Sequence, residues 1–464
     1  MTTALNLIFQ CWRHLKKKVF PVLCAISLVT VLVVHSFSPA IAFGAARSAI
    51  ASSTGRNAIA SGTARSAIAQ LPQLTQIIPV PLPNPKFPPP QTIPNPQTPP
   101  TPQPPPIPQI PRQEIRGVWM TTNDFDVLKS SSKVQEAVTQ LRNLNFNTIY
   151  PVVWNSGYTK YPSAIANQLG IPFFFRGAGG QDILADVISQ AHRQGLLVIP
   201  WFEFGFMTPE TSELALNRPQ WLTQKRDGGL TSISAAGEVA WLNPFRPEVQ
   251  KFITDLVMEI VTKYDADGIQ FDDHMSLPRE FGYDKYTMAL YTKETQKPVP
   301  SNPEDGDWVK WRADKITAFM VQLNQAVKAR KPNAIFSVSP NYYEFAYKLQ
   351  LQDWLAWMRL NIVDELIVQV YRSDLQSFVD KLVRPEIQEA QQKISTGVGI
   401  MTGLRNKPVS MAQIQSQVRA AQNRGLGVIF FYYESLWDKG QEASQQRQAG
   451  FKNLFPNPAL RARI

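Results

Sequence analysis

Cysteine is nearly missing from this 464-residue chain: Cys11 and Cys24 are the only two, and both fall in the first 24 residues. Beyond them no disulfide, thiolate zinc site or thiol nucleophile can be built, so core burial must hold the rest together. Histidine is almost as rare, with four in all and only His192 and His274 past residue 35. No two histidines stand at helical spacing, which leaves a histidine-rich metal site short of ligands. Acid is absent from residues 1–113, which carry nine of the 47 Lys and Arg and none of the 36 Asp and Glu. The 351 residues that follow are close to neutral, 38 basic against 36 acidic, so the formal charge of +11 is no signature of nucleic-acid binding. GxGxxG, the GxxxxGK(S/T) phosphate loop and GxSxG are missing too. With them goes the sequence support for a dinucleotide fold, a nucleotide hydrolase or a serine triad.

The acid-free N-terminal part has three segments. Arg13 and Lys16–Lys18 precede an apolar run, Val19–Val34, and then the small-residue site Ala40-Ile41-Ala42. That run is 16 residues, short for a membrane span of about 20, so residues 1–42 read as an export signal cleaved after Ala42. An uncleaved segment would instead give transient membrane association. Cys24 lies inside the run rather than after it, which argues against a lipoprotein. The expected destination is periplasmic or extracellular. ARSAIA, GRNAIA and ARSAIA then begin at Ala46, Gly55 and Ala64, too short and polar a repeat to stack as a solenoid. Residues 72–111 hold 18 prolines. Together, 43–113 read as a disordered linker, a basic spacer followed by a polyproline arm of about 120 Å if fully extended.

From Glu114 onward the pattern becomes short apolar runs alternating with amphipathic helices, the signature of parallel β/α architecture. Eight strand candidates follow in order: EIRGVWMTT, NTIYPVVWN, LLVIPWFEFG, DGIQFDDH, AIFSVSPN, ELIVQVY, ISTGVGI and GVIFFYYES. The clearest helix is PEVQKFITDLVMEIVTKY, with Phe252, Ile253, Leu256, Val257, Ile260, Val261 and Tyr264 on one stripe. AHRQG and AAQNRG end in glycines suited to helix C-caps just before the next strand. Eight such units predict an α/β fold, a (β/α)8 TIM barrel over 114–455, with a C-terminal tail at 456–464. Insertions after strand three (206–246) and strand four (275–310) carry Trp221, Trp241, Trp308 and Trp311, as cleft walls or as packing.

In such a barrel the chemistry gathers at the C-terminal strand ends. Strand four delivers Asp272, Asp273 and His274 there; alternation puts Gln270, Asp272 and His274 on one face and Asp273 on the other. Strand one brings Trp119, Asn123 and Asp124; strand two, Trp154, Asn155 and Tyr158; strand three, Trp201 and Glu203. Strand five brings Asn341 and Tyr342, strand six Tyr371, and strand eight Tyr432, Tyr433 and Glu434. Carboxylates ringed by aromatics suit a sugar: ring faces cover pyranose C–H surfaces, while two acids flank the glycosidic oxygen. The expected catalytic set is Asp272 as nucleophile or base, with Glu203 or Glu434 as acid and Asp273 beside them. Trp119, Trp154, Asn155, Tyr158, Trp201, His274, Asn341, Tyr342, Tyr371 and Tyr433 are the expected substrate contacts. Asp267, at the opposite end of strand four, reads as structural, and His192 as solvent-facing. No metal or cofactor is expected.

Five ordered stretches, EIRGVWMTTNDFDVL, FNTIYPVVWNSGYTKYPS, WLNPFRPEVQKF, DGIQFDDH and FFYYESLW, resemble the glycosyl-hydrolase-like ten family of exported bacterial (β/α)8 proteins. The resemblance spans about residues 114–455. It implies a glycosidase acting on a cell-wall or other polysaccharide, with peptidoglycan glycan strands favoured. Strand four is also similar in layout to chitinases, whose last motif Asp would be Asp272 but whose acid Glu is replaced by His274. Amylase-type enzymes have a nucleophilic Asp at the position matching Asp272, with Arg where this chain has Gln270. FDDH further resembles the TFDDG strand of polysaccharide deacetylases, which makes a metal-dependent hydrolase one alternative. A non-catalytic carbohydrate-binding barrel is the other.

Overall fold

The structure is a computed structural model describing residues 113–461 except 123–125, 172–180, 235, 405–406 and 438–440. The expected signal (1–42), almost all of the linker (43–113), and Asn123 and Asp124 lie outside the described residues, so what was expected of them stays an expectation. Among the described residues no helix is long and apolar enough to cross a membrane.

All eight predicted strands form. They are β1 (Arg116–Met120), β2 (Thr148–Asn155), β3 (Leu197–Val198 and Trp201–Phe202, interrupted at Pro200), β4 (Gly268–Asp272), β5 (Ile335–Ser339), β6 (Glu365–Gln369), β7 (Ser395–Met401) and β8 (Gly427–Phe431). Each pairs in parallel with its neighbours in chain order, and β1 pairs with both β2 and β8, which closes the barrel. Helices surround it. The predicted stripe helix spans Pro247–Lys263 with its apolar face buried. Gly195 and Gly425 cap helices at φ +74° and +72°, as the sequence predicts. Asp182, Asp284, Asp305, Asp353 and Asp374 open other helices, each accepting an N–H from the first turn.

Strand parity fills the barrel. Outward residues such as Phe202 and Phe271 pack together in the layer beneath the helices, with ring centroids 5.7 Å apart. Inward residues are aromatic near the mouth and polar lower down. Trp119 Nε1 donates to Gln270 Oε1 (2.7 Å), Gln270 Nε2 to Ser337 Oγ (2.9 Å), and Ser337 Oγ to Glu365 Oε1 (2.7 Å). Tyr150 Oη also donates to Glu365, at 2.9 Å. Arg461 ends this ladder at the floor, paired with the fully buried Glu365 and donating to Thr148 Oγ1 (2.9 Å) and Tyr150 Oη (3.2 Å). The described part of 456–464, expected as a tail, is therefore packed onto the barrel, with Glu114 N donating to Leu460 O (3.0 Å).

The insertion after β3 forms a three-stranded antiparallel sheet over Met207–Pro209, Thr231–Ser234 and Gly237–Trp241. The insertion after β4 has a small core of its own in Tyr283, Tyr291 and Trp308, with Trp311 stacked on Trp308 at 5.4 Å. Trp308 and Trp311 are therefore packing, and Trp221 packs on Phe252 of the stripe helix at 5.5 Å. His192 does not simply face solvent, because its Nε2 lies 2.8 Å from Asp267 Oδ2. Asp267 also accepts from Val198 N (2.7 Å), tying β3 to β4 at the floor.

Candidate active site

The ends of β3 and β4 are stitched together by backbone. Gly205 turns at φ +47°, and a Cβ there would stand 2.3 Å from His274 O. Phe206 N donates to that same oxygen (3.0 Å), and His274 Nδ1 lies 2.8 Å from Glu203 O, where it must donate. This seam fixes Glu203 beside the end of β4.

Asp272, the last residue of β4, is buried, and its Oδ1 accepts from Asp273 N (2.9 Å) and from Gln369 Nε2 at the end of β6. Asp273 is buried too. Its Oδ2 accepts from Asn341 Nδ2 (2.6 Å) and Gln350 Nε2 (3.2 Å), and its Oδ1 is 3.3 Å from His274 Nδ1. The expected split of Asp272 and Asp273 onto opposite faces does not occur. β4 stops at Asp272 and the chain turns there, Met275 N donating to Asp272 O (3.1 Å), so two-residue alternation no longer applies.

Glu203 is part-exposed, and Asn155 Nδ2 donates to its Oε2 (2.6 Å). Burial pushes its carboxyl up to about 7; the Asn155 bond and the charges of His274 and Lys160 pull it back, while Asp273 pushes it further up. Asp272 is raised well above the ordinary carboxylate range, by burial first and then by the charge of Asp273, with Glu203 adding to the rise. Tyr371 is raised by burial and then by Asp272, Asp273 and Glu203, which puts its phenol in the field of all three acids. Lys160, just past the hairpin that extends β2, is pulled down to about 8 by burial, opposed by the charge of Glu203. The cluster holds more carboxyl groups than its surroundings can keep ionised, and that favours proton sharing at neutral pH.

Other expected residues divide between the mouth and the core. Trp119, Trp201, Phe431 and Tyr371 form a continuous aromatic layer, with Trp119 and Trp201 5.9 Å apart and Phe431 and Tyr371 5.5 Å apart. Trp119 and Trp201 are fully buried and support the site from below. Asn155 and Asn341 hold carboxylates, and Tyr158 bonds Glu213 of the β3 insertion. Tyr342 sits beside the cluster between two cations. Trp154 does not reach the site, since it packs edge-on against Phe252 at 5.6 Å. The cause is a register shift between Val152 and Trp154, which turns Trp154 outward and Asn155 inward. Tyr433 is likewise turned away: it opens a short helix, and its Oη donates to Gln140 (3.0 Å) among the outer helices. Glu434 lies on that helix, where its Oε2 is 3.5 Å from Tyr432 Oη.

Sequence reasoning missed Lys160, Gln350 and Gln369, while Trp241, offered as cleft wall or packing, has its ring 6.1 Å from His274. Only Gln369 left a signal, as a polar residue near the end of an otherwise apolar strand. Ligand atoms of Asp272, Asp273 and His274 lie within 4.8 Å of one another, close enough for one cation.

The fold is shared with solved carbohydrate-active proteins. The PgaB (BpsB) glycoside hydrolase domain from Bordetella bronchiseptica aligns over 76% of this chain and all of that one, with a TM-score of 0.56 at 12% identity. An α-L-fucosidase from Paenibacillus thiaminolyticus aligns over 74% of this chain and 49% of its own, with a TM-score of 0.53 at 15% identity. In sequence, the chain is 24% identical over 307 residues to glycosyl hydrolase DigH of Escherichia coli, covering 56% of this chain and 66% of that protein. It is also 24% identical over 246 residues to glycosyl hydrolase YngK of Bacillus subtilis, covering 49% of this chain and 45% of that one. The chain thus spans just under two thirds of one of these relatives and less than half of the other. The family profile described as glycosyl hydrolase-like 10 matches residues 114–420, from two residues before β1 into the helix before β8. The chain therefore belongs to the glycosyl hydrolase-like 10 family, a membership that supports hydrolysis of O-glycosyl bonds.

Proposed function

We propose that this protein is an exported glycoside hydrolase that cleaves a cell-wall polysaccharide, with peptidoglycan glycan strands as the favoured substrate, through Glu203 and Asp272. Glu203, pushed up to about 7, carries a proton at neutral pH and can donate it to the leaving glycosidic oxygen. Asp272 faces the other role. The Asp273 N–H and the Gln369 amide both donate to its Oδ1 and oppose the burial and the Asp273 charge that raise its carboxyl; ionised, with the cluster's shared proton on Glu203, it can meet positive charge developing at the anomeric carbon. Asp273 is held by Asn341 and Gln350 beside Asp272 and Glu203, which makes it a positioning residue. The observation that carries this reading is the seam between β3 and β4, where His274 Nδ1 lies 2.8 Å from Glu203 O and 3.3 Å from Asp273 Oδ1, with Asp272 next in the chain. That proximity supports Glu203 over Glu434 as the partner of Asp272. Delivery to the envelope would rest on residues 1–42 as signal and on the proline-rich segment as tether.

The test is Asp272→Asn in the full chain, assayed for released reducing ends on purified glycan strands. Turnover is expected to fall by about 10³-fold or more with unchanged circular dichroism and melting. Full activity in that variant would reject the assignment.

Metal-dependent hydrolysis is the second reading, favoured by the Asp272, Asp273 and His274 trio. Against it, Asp273 Oδ2 already accepts from Asn341 and Gln350, and the other histidine among the described residues, His192, is engaged with Asp267 at the barrel floor. Activity is expected to survive chelator; loss in chelator with recovery on added zinc would promote this reading instead.

A further inference from the structure

Beside the acid cluster stands a patch of the opposite charge. Lys381 Nζ lies 3.9 Å from the centroid of the Tyr342 ring, and Arg372 Cζ lies 5.6 Å from it. Tyr342 follows Asn341, which holds Asp273, and Arg372 follows Tyr371, whose phenol feels all three acids. The pair therefore adjoins the reacting groups.

Neither cation has a carboxylate partner within 4 Å among the described residues, although acids stand nearby. Glu344 is taken by Arg384 and Lys348, and Asp380 accepts from Gln376. Arg372 donates from Nη1 to the carbonyl of Tyr371 (3.0 Å). Both side chains are part-exposed, so a ligand can reach them. Holding two like charges around one ring without a counter-ion opposes folding, and a bound anion would relieve it.

We propose that Arg372 and Lys381 form an anion subsite beside the catalytic groups, and that it takes the carboxylate of an acidic sugar unit in the glycan. The proposal rests on the glycosidase reading and narrows it to carboxylate-bearing chains. The guanidinium can meet a carboxylate through two parallel N–H bonds, and the ammonium adds a movable point charge. Burial, then the charges of Arg372 and Arg384, pull the Lys381 ammonium down, a bias that a bound carboxylate reverses. Two cations at the Tyr342 ring, with Asp273 held by the neighbouring Asn341, also orient the ligand. A carboxylate turned toward Asp272 is repelled, so only one placement of an acidic sugar is favourable.

The experiment uses the full chain carrying Asp272→Asn, so that ligands persist, and measures calorimetric affinity for two forms of each oligosaccharide. One form bears free carboxylates, and in the other they have been reduced to alcohols. Strands of lactyl-ether sugars and oligomers of uronic acids run in parallel, and the larger preference identifies the natural source. The acid form is expected to bind at least about tenfold more tightly, with the preference shrinking as salt rises. Adding Arg372→Gln or Lys381→Met should bring the ratio toward one; the methionine keeps an apolar stem against Tyr342, which guards against a mere folding defect. Equal affinity for both forms, or a ratio unchanged by either substitution, overturns the subsite alone. Binding of neither form would remove the glycan reading beneath it.

Discussion

Glu203 shows what the barrel mouth does to one side chain. Its carboxyl, ordinarily near 4.5, is pushed up to about 7. Below 4.5 both folded and unfolded chains hold the proton; between there and about 7 only the folded chain does, so stability falls as pH rises through that window. Glu203→Gln removes this group's share, on the order of 1–3 kcal/mol, and should flatten the fall in urea-unfolding free energy between pH 5 and pH 8. Turnover has its own sign. A general acid works only while protonated, so kcat should decline as pH rises through about 7, and in Glu203→Gln that limb should vanish along with most of the activity. A pH–rate profile with an unchanged limb in the variant would reassign the acid. The sequence offered Glu203 and Glu434 without a choice between them, because both stand at strand ends. What separates them is the turn into a helix after Phe431, and a strand pattern carries no mark of that turn.

Strands and their junctions were the most legible level. Eight apolar runs mapped onto eight strands because each is bounded by glycine-capped or charged helices, and two-residue parity put Gln270 and Asp272 on one face, where both lie. Parity failed in two places where the strand was no longer regular. The register shift in β2 exchanged Trp154 for Asn155, and the turn after Asp272 swung Asp273 into the site. Both are decided by backbone geometry, which residue types did not announce. Gly205 is the junction most open to test, since any side chain there meets the His274 carbonyl and the φ of +47° already disfavours one. Gly205→Ala should separate the β3 and β4 ends, costing about 1–3 kcal/mol in urea unfolding and lowering kcat, because the same seam carries Glu203 and His274. Wild-type stability and turnover in that variant would show that the seam is not what positions the acids.

At the scale of the whole molecule, the boundary drawn at residue 455 missed Arg461, a basic residue in a short stretch with no strand or helix pattern. Its guanidinium is buried against Glu365, 6% and 0% exposed respectively. Breaking a buried pair leaves a charge without a partner, so Arg461→Ala should cost about 3–5 kcal/mol in denaturant unfolding, and a chain ending at residue 455 at least as much. Replacing Glu365 by Gln in the Arg461→Ala background should recover part of the loss. Full stability in the single variant would mean that the pair is solvated and the floor open.

That floor has a bearing on traffic. With Arg461, Glu365, Ser337, Gln270 and Trp119 bonded one to the next across the interior, the lumen is a cup and not a pipe. A long polymer has no way to thread it. Under the proposed function a glycan strand would lie across the brim like a rod on a bowl, and both halves of a severed strand would lift off from the side where the intact one arrived.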